Sequence, residues 1–343
     1  MTFRPFDHKY DLISQVYLER LDLPAAPPVF RAAAAPLRQR KAPAVALLVL
    51  GALLFLGPIV GGLFSKVASG KQMIDEFAPH MEADALARYD ADLAILGRGA
   101  AGIDAVYAQQ RVAAGEFVGI DIYRQRSTDI NERAAALLDR VGGAEPDYRK
   151  VDAIGGFDRV PFLIVIAGIV ALYGGGLLLR GGASRSRSGA ALVVVASVAL
   201  VAYPFLSDLP NGTRAGERML ATLEPVMQPA AVRQLQNDFV AMVHAVGELD
   251  TSFRGVPQPG PSGADVATLV QSWPKVSSDL AALVGALNDN IDNFDAFDDL
   301  DGFTRSAGVS GLTAMPWLLV GTGALSAACA IAALARREKE TTT

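Results

Sequence analysis

The chain of 343 residues has a single cysteine, Cys329, and only three histidines. One cysteine cannot form an intramolecular disulfide, so the polar parts of the chain must be held together by packing. The sequence also lacks the Ser/His/Asp, nucleophile-elbow and zinc-helix signatures of the common hydrolases. These absences predict a protein that is not an enzyme, with no catalytic residues, no cofactor and no bound metal.

Charge is missing from four long apolar runs, at residues 43–64, 160–179, 190–206 and 312–335. Each run is long enough to cross a hydrocarbon core of about 30 Å as a helix. In lipid every backbone N–H and C=O must be bonded internally, so such runs insert as helices. We therefore expect four spans. Because no span contains a charged residue, a proton or ion pathway through them is not expected.

Basic residues flank the spans on one predicted side of the membrane. They lie in segment 1–42, in the short loop 180–189 and in the tail 336–343, and such residues mark the cytoplasmic side. Segments 65–159 and 207–311 would then be two large extracytoplasmic loops. The predicted location is a bacterial inner (plasma) membrane, because the chain has a bacterial-type composition rich in Ala, Gly and Arg. This multi-pass topology has both termini in the cytoplasm.

A short amphipathic stretch precedes the first span. Residues 11–23 place Leu12, Val16 and Tyr17 on one helical face. Two interpretations stay open for this stretch. It lies on the inner membrane surface or binds a cytoplasmic partner, or it packs on the ends of the protein's own spans.

The second polar segment has the clearest helical pattern. Apolar residues step by three and four from Val232 to Val246, and again from Trp273 to Phe294. Such spacing is typical of helices with a coiled-coil-like apolar face, so we expect an antiparallel helical hairpin. The predicted fold class is all-α, a four-span transmembrane helical bundle with an extracytoplasmic α-helical domain built from both loops. The layout of span, helical segment and span occurs twice, with no evident repeat of sequence.

Residues 97–102, Gly-Arg-Gly-Ala-Ala-Gly, form the glycine pattern of a dinucleotide-binding turn. Asp121, in a strand-like stretch at 117–123, follows at about the distance of a ribose-binding acid. A doubly wound fold needs several parallel strands, however, and this segment offers at most two candidates. We therefore interpret the glycines as a break between two helices and not as a nucleotide site.

An acidic stretch late in the second segment is the candidate interaction site. Its carboxylates alternate with aromatic and aliphatic side chains, and the spacing does not fit a calcium-binding EF-hand loop. Three interpretations stay open: a solvated helix end, a weak divalent-cation site, and a surface for a basic partner. The candidate residues are Phe294, Phe297, Leu300, Phe303, Asp292, Asp295, Asp298 and Asp299.

These features favour a non-enzymatic accessory, scaffolding or assembly subunit of a cell-envelope complex, in transport or secretion. Its expected partners are the lipid bilayer and a protein of the membrane or envelope. A homo-oligomer stays open, and no feature indicates nucleic acid. Two alternatives remain: a sensor of an extracytoplasmic ligand that signals through a separate partner, and a lipid-handling membrane protein.

Overall fold

The computed structural model describes residues 41–154, 157–180, 183–258, 260–306 and 311–341, and every regular element there is a helix. The amphipathic stretch predicted at residues 11–23 lies outside these ranges. Short 3-10 turns occur at Phe157–Arg159, Phe253–Gly255 and Leu312–Ala314. The α-helices are α1 Ala42–Val60, α2 Leu63–Met81, α3 Ala83–Gln110, α4 Val118–Asp152, α5 Val160–Arg180, α6 Ala183–Leu206, α7 Leu209–Met227, α8 Pro229–Asp250, α9 Gly260–Asp289, α10 Ile291–Ser306 and α11 Met315–Thr341.

Four helical stretches are long and apolar enough to cross a membrane, which confirms the four helices that the sequence predicts. No more than 33% of each apolar window is buried within the protein, so most of each window faces outward. Outward-facing apolar side chains are what a lipid environment requires of a spanning helix. The stretches are Ala42–Val60, Phe157–Arg180, Ser184–Leu206 and Leu312–Arg336.

The ends of two predicted segments differ from the structure. The first apolar run was expected to continue to residue 64, but α1 ends at Val60 because the chain turns at Gly62, with φ 64°. Only glycine adopts that left-handed conformation without strain, and α2 begins directly afterwards. The basic loop expected over residues 180–189 is also shorter, because α6 begins at Ala183.

The two halves of the chain, residues 42–180 and 183–341, contain the same run of elements. In each half a span is followed by a helix of 19 residues, α2 or α7. Both of these helices start after a left-handed residue, Gly62 at φ 64° or Asp208 at φ 53°, and both end before an extended residue at φ −67°. Long helices then lead to the second span of each half.

The sequence repeats as well, and the structure supplies the register that reveals the repeat. Residue n of the first half matches residue n + 146 of the second, from the first span of each half through α4 and α9. No repeat is evident in the sequence by itself, and the matched helices make it visible. Identical residues in this register include Pro58 and Pro204, Leu63 and Leu209, Gly70 and Gly216, Met73 and Met219, Pro79 and Pro225, Met81 and Met227, Asp92 and Asp238, and Asp104 and Asp250.

Burial follows the same register, as expected of two copies of one fold. In the second span of each half the shift becomes 155, which matches Pro161 with Pro316 and Gly168 with Gly323. Two membrane-crossing helices per copy would give the copies the same direction, the arrangement of parallel repeats. Matched buried pairs include Ala44 and Ala190, Leu47 and Val193, Leu54 and Leu200, Ile103 and Leu249, Ile120 and Val266, Tyr123 and Leu269, Ile130 and Val276, Leu137 and Leu283, Val141 and Leu287, and Tyr148 and Phe294.

The halves interlock outside the spans. Helices α2 to α4 and α7 to α10 form one bundle, here called the polar bundle, in which each half packs mainly on the other. Helix α3 packs on α9, α8 on α4, α7 on α4, and α10 on α2. The predicted hairpin of α8 and α9 is present, but each of its helices makes its largest contact with the other half. Neither half can therefore bury its apolar faces alone.

Candidate functional site

Two carboxylates at matching positions lie buried between the halves. Asp92 on α3 is 1% exposed and faces α9, while Asp238 on α8 is 3% exposed and faces α4. A buried carboxylate is tolerated only when it is paired and hydrogen-bonded. The partners of these two groups therefore determine how firmly each side of the interface between the halves is held.

The hydrogen bonds of Asp238 are complete. Arg126 donates to it at 2.7 Å, and Arg133 donates twice, at 2.7 and 3.1 Å. Gln234 adds a fourth bond at 3.1 Å. Both carboxylate oxygens are thus satisfied by charge-assisted bonds, which are the stronger kind. This side of the interface fixes α8 of one half to α4 of the other.

The hydrogen bonds of Asp92 are few. Among the residues that the structure describes, its single donor is the Lys275 ammonium, 3.3 Å from one carboxylate oxygen, and its other oxygen is buried with no partner. The same ammonium lies closer to Asp279, at 2.9 Å. Burial raises the pKa of Asp92, and the Asp279 carboxylate opposes the lowering effect of Lys275. The α3/α9 side is therefore the less well bonded side of the interface.

A further ion pair crosses between the halves nearer the surface. Arg218 on α7 donates to Asp147 on α4 at 2.5 and 2.9 Å. These bonds hold the pKa of Asp147 below its ordinary value. Since the folded pKa is lowered, the stability from this pair is present at neutral pH and is lost as the pH falls through the lowered pKa.

Four large apolar side chains are exposed on the polar bundle, among the residues that the structure describes, and all four lie on α4 and α8. These helices are in close contact, since a Cβ on Gly119 would lie 3.2 Å from the His244 backbone. The side chains therefore occupy neighbouring turns of two packed helices. We call this surface the α4/α8 patch; its members are Val118, Ile122, Val240 and Val243.

The matching surface on the other side of the bundle is not apolar in this way. In the n + 146 register the four residues correspond to small or polar ones: Ala264, Thr268, Ala94 and Gly97. The patch thus breaks the symmetry of the repeat at four positions, always toward a larger apolar side chain. The sequence by itself does not single out this patch, because isolated surface valines are ordinary. Alignment of the two halves was the signal that could have found it.

Helix α10 contains the interaction residues that the sequence suggested. Phe294 and Phe297 are buried in the core of the polar bundle, so their rings face the protein's own interior. Leu300 and Phe303 belong to α10, but their side chains lie outside the described part. The four carboxylates are exposed, and Asp299 lies 3.6 Å from Lys66. They are Asp292, Asp295, Asp298 and Asp299.

The glycine pattern at 97–102 lies inside α3, which is continuous from Ala83 to Gln110. The expected break between helices is therefore wrong, and the strand-like stretch at 117–123 is the start of α4. Two of the glycines allow α9 to approach closely. A Cβ on Gly99 would lie 2.6 Å from Leu269, and one on Gly102 would lie 2.8 Å from the Ser262 carbonyl oxygen.

We expect alanine to have opposite effects at Gly97 and Gly102. A Cβ on Gly97 meets none of the described residues within 4 Å, so Gly97→Ala should stabilise the protein by about 0.5–1 kcal/mol through helix propensity. Gly102→Ala should destabilise it by about 1–3 kcal/mol, because backbone blocks the new methyl group. Thermal unfolding followed by circular dichroism measures both. Equal shifts would contradict the proposed role of Gly102 in packing.

A cavity of about 240 Å³ opens between α2, the end of α4 and the 3-10 turn before α5. The second half has Phe297 where the first has Val151, so the two halves differ at this wall. The walls combine apolar and charged groups: Ile74, Val151, Ile154 and Phe157, with Lys71, Asp75, Asp152 and Asp158.

Comparison with known proteins adds no relative. No protein-family model, curated protein or solved structure matches this chain. Within the described ranges, no group of three or more His, Cys, Asp or Glu residues is placed to hold a metal ion.

Proposed function

We propose that this protein is a non-enzymatic scaffold or accessory subunit of a bacterial cell-envelope complex, in transport or secretion. Its four apolar helices would anchor it in the plasma membrane with both termini in the cytoplasm. The polar bundle would lie outside the cytoplasm and bind a protein partner through the α4/α8 patch. The basic flanks of the spans support this orientation.

The α4/α8 patch is the observation that carries the proposal. Single exposed apolar side chains are ordinary, but several of them on two packed helices make a candidate interaction site. Here the second copy of the same fold provides an internal comparison. The equivalent positions Ala94, Gly97, Ala264 and Thr268 show that the fold itself does not require large apolar residues at these places.

Site-specific photo-crosslinking in native membranes tests the proposal. A benzoylphenylalanine at Val240 should give an adduct with one reproducible partner protein, whereas the same group at its match, Ala94, should give none. Both positions are exposed, so the probe is equally accessible. The adduct should disappear in the variant Val118→Ala/Ile122→Thr, which takes residues from the matching positions. No adduct at Val240, or the same adduct at Ala94, would contradict the proposal.

Ligand sensing is a second candidate, favoured by the cavity beside α2. The cavity adjoins the turn that leads into α5, so a bound ligand there could act on that span. The variant Val151→Phe places in the first half the residue that the second half has, and it should fill the cavity. If signalling to a partner depended on a ligand, Val151→Phe would abolish it while leaving crosslinking at Val240 intact. No comparable observation favours lipid handling.

A further inference from the structure

The strongest unexplained feature is the inequality of two matched carboxylates. Asp92 and Asp238 occupy the same place in the two copies of the fold and are both buried. Asp238 accepts four hydrogen bonds from three side chains. Within the described part of the chain, Asp92 accepts one long bond and has an oxygen without a partner. Leaving a buried acceptor unsatisfied costs free energy, so the Asp92 side needs a further explanation.

The charges around Asp92 do not balance. From α9 it faces Lys275 and Asp279, and on its own helix Arg88 and Tyr89 lie near it. The Lys275 ammonium is shared between two carboxylates and lies closer to Asp279. Two nearby carboxylates with one cation between them favour a proton on the more buried of the two. Asp92 is that group, because Asp279 is partly exposed.

We infer that Asp92 is a proton-operated latch on the α3/α9 side of the interface between the halves. A proton on Asp92 removes the buried charge and supplies an O–H donor, so α3 and α9 pack firmly at acidic pH. When Asp92 ionises at higher pH, its carboxylate needs solvation, and the α3/α9 side loosens. The α4/α8 side stays closed, because Asp238 already has its donors.

The direction of the pH effect follows from linkage. In the opened state Asp92 is solvated and titrates near its ordinary value of about 3.9, while the closed state raises its pKa. The closed form thus binds the proton more tightly, and its stability falls as the pH rises through that window. This direction is opposite to that of the Asp147–Arg218 pair, which weakens as the pH falls. The two effects can therefore be told apart.

Hydrogen exchange of the full-length protein in lipid nanodiscs tests the latch. Between about pH 4 and 7, after correction for intrinsic rates, opening of α3 and α9 should increase by up to about tenfold per pH unit inside the window. Opening of α8 and α4 should not show this increase. In the isosteric variant Asp92→Asn the opening of α3 and α9 should no longer depend on pH. Protection of α3 from hydrogen exchange should stay high over the whole pH range.

Two further variants keep the inference falsifiable. Asp238→Asn should loosen α4 and α8 and leave the pH dependence at α3 unchanged. In Asp279→Asn, Asp92 is the one carboxylate left to pair with Lys275. The pH dependence of hydrogen exchange at α3 and α9 should then move to lower pH. An infrared band of a protonated buried carboxyl, absent from Asp92→Asn, should titrate in the same window. Identical exchange profiles for Asp92→Asn and the natural protein would overturn the inference.

Discussion

Asp238→Ala should lower the free energy of unfolding by about 3 kcal/mol, more than any other single change to a charged residue of the polar bundle. Removing one partner of a buried ion pair costs about 3–5 kcal/mol because the other partner is left uncompensated. Arg126 and Arg133 are 37% and 36% exposed in their side chains, so water relieves part of that cost. The expected loss therefore lies at the lower end of the range.

Chemical unfolding in mild detergent, followed by tryptophan fluorescence, measures this loss. Asp139→Ala is the control, since Asp139 is exposed on α4, the helix that supplies Arg126 and Arg133, and its loss should change stability by less than about 0.5 kcal/mol. A triple variant, Asp238→Leu with Arg126→Met and Arg133→Leu, should recover much of the stability, because no charge is left unpaired. Equal effects of Asp238→Ala and Asp139→Ala would refute the assignment of Asp238 as the main polar contact between the halves.

Gly168→Leu should separate α1 from α5 and lower the free energy of unfolding by about 3 kcal/mol or more. A Cβ at this position would lie 2.6 Å from the backbone nitrogen of Phe55 and 2.9 Å from the carbonyl oxygen of Gly51. Backbone atoms cannot move aside as a flexible side chain can, so the two helices must part. In lipid this close packing is itself the main source of association between helices.

Resistance to unfolding by sodium dodecyl sulfate is the suitable measurement for this variant. Gly176→Leu on the same helix α5 is the control, since a Cβ there meets nothing within 4 Å in the described part of the chain. Gly323→Leu tests the equivalent contact in the second half, where a Cβ would lie 2.9 Å from the Ser197 carbonyl oxygen. We expect Gly168→Leu and Gly323→Leu to behave alike. A Gly176→Leu variant as unstable as these two would disprove the packing argument.

The spans and most helices could be predicted from the sequence because apolar length and period are local signals. Leu280, Leu283 and Leu287 are buried as the heptad-like spacing predicts. The glycines at 97–102 predicted a helix break that is absent, because a glycine disfavours helix locally by about 1 kcal/mol. Contacts with Leu269 and Ser262, which are distant in sequence, offset that preference in the folded protein.

The candidate sites were harder to predict than the helices. Asp92 and Asp238 resemble ordinary surface aspartates on amphipathic helices until their partners are known, and those partners lie in the other half of the chain. The acidic stretch was conspicuous in composition, yet Phe294 and Phe297 pack inward. A local period does not say which face of a helix another helix covers. That information comes from the contacts between the two halves of the chain.

The length of α4 limits what can bind at the α4/α8 patch. Its 35 residues, at 1.5 Å each, place its two ends about 50 Å apart. Val118 begins the helix, whereas Asp152 at its end leads toward α5, one of the four apolar helices. If the proposed function holds, a partner anchored in the same bilayer must span up to about 50 Å to reach the patch, which takes about 15 fully extended residues or a helical stalk of similar height. Under that proposal, membrane proteins with only short loops between their spans would not reach it.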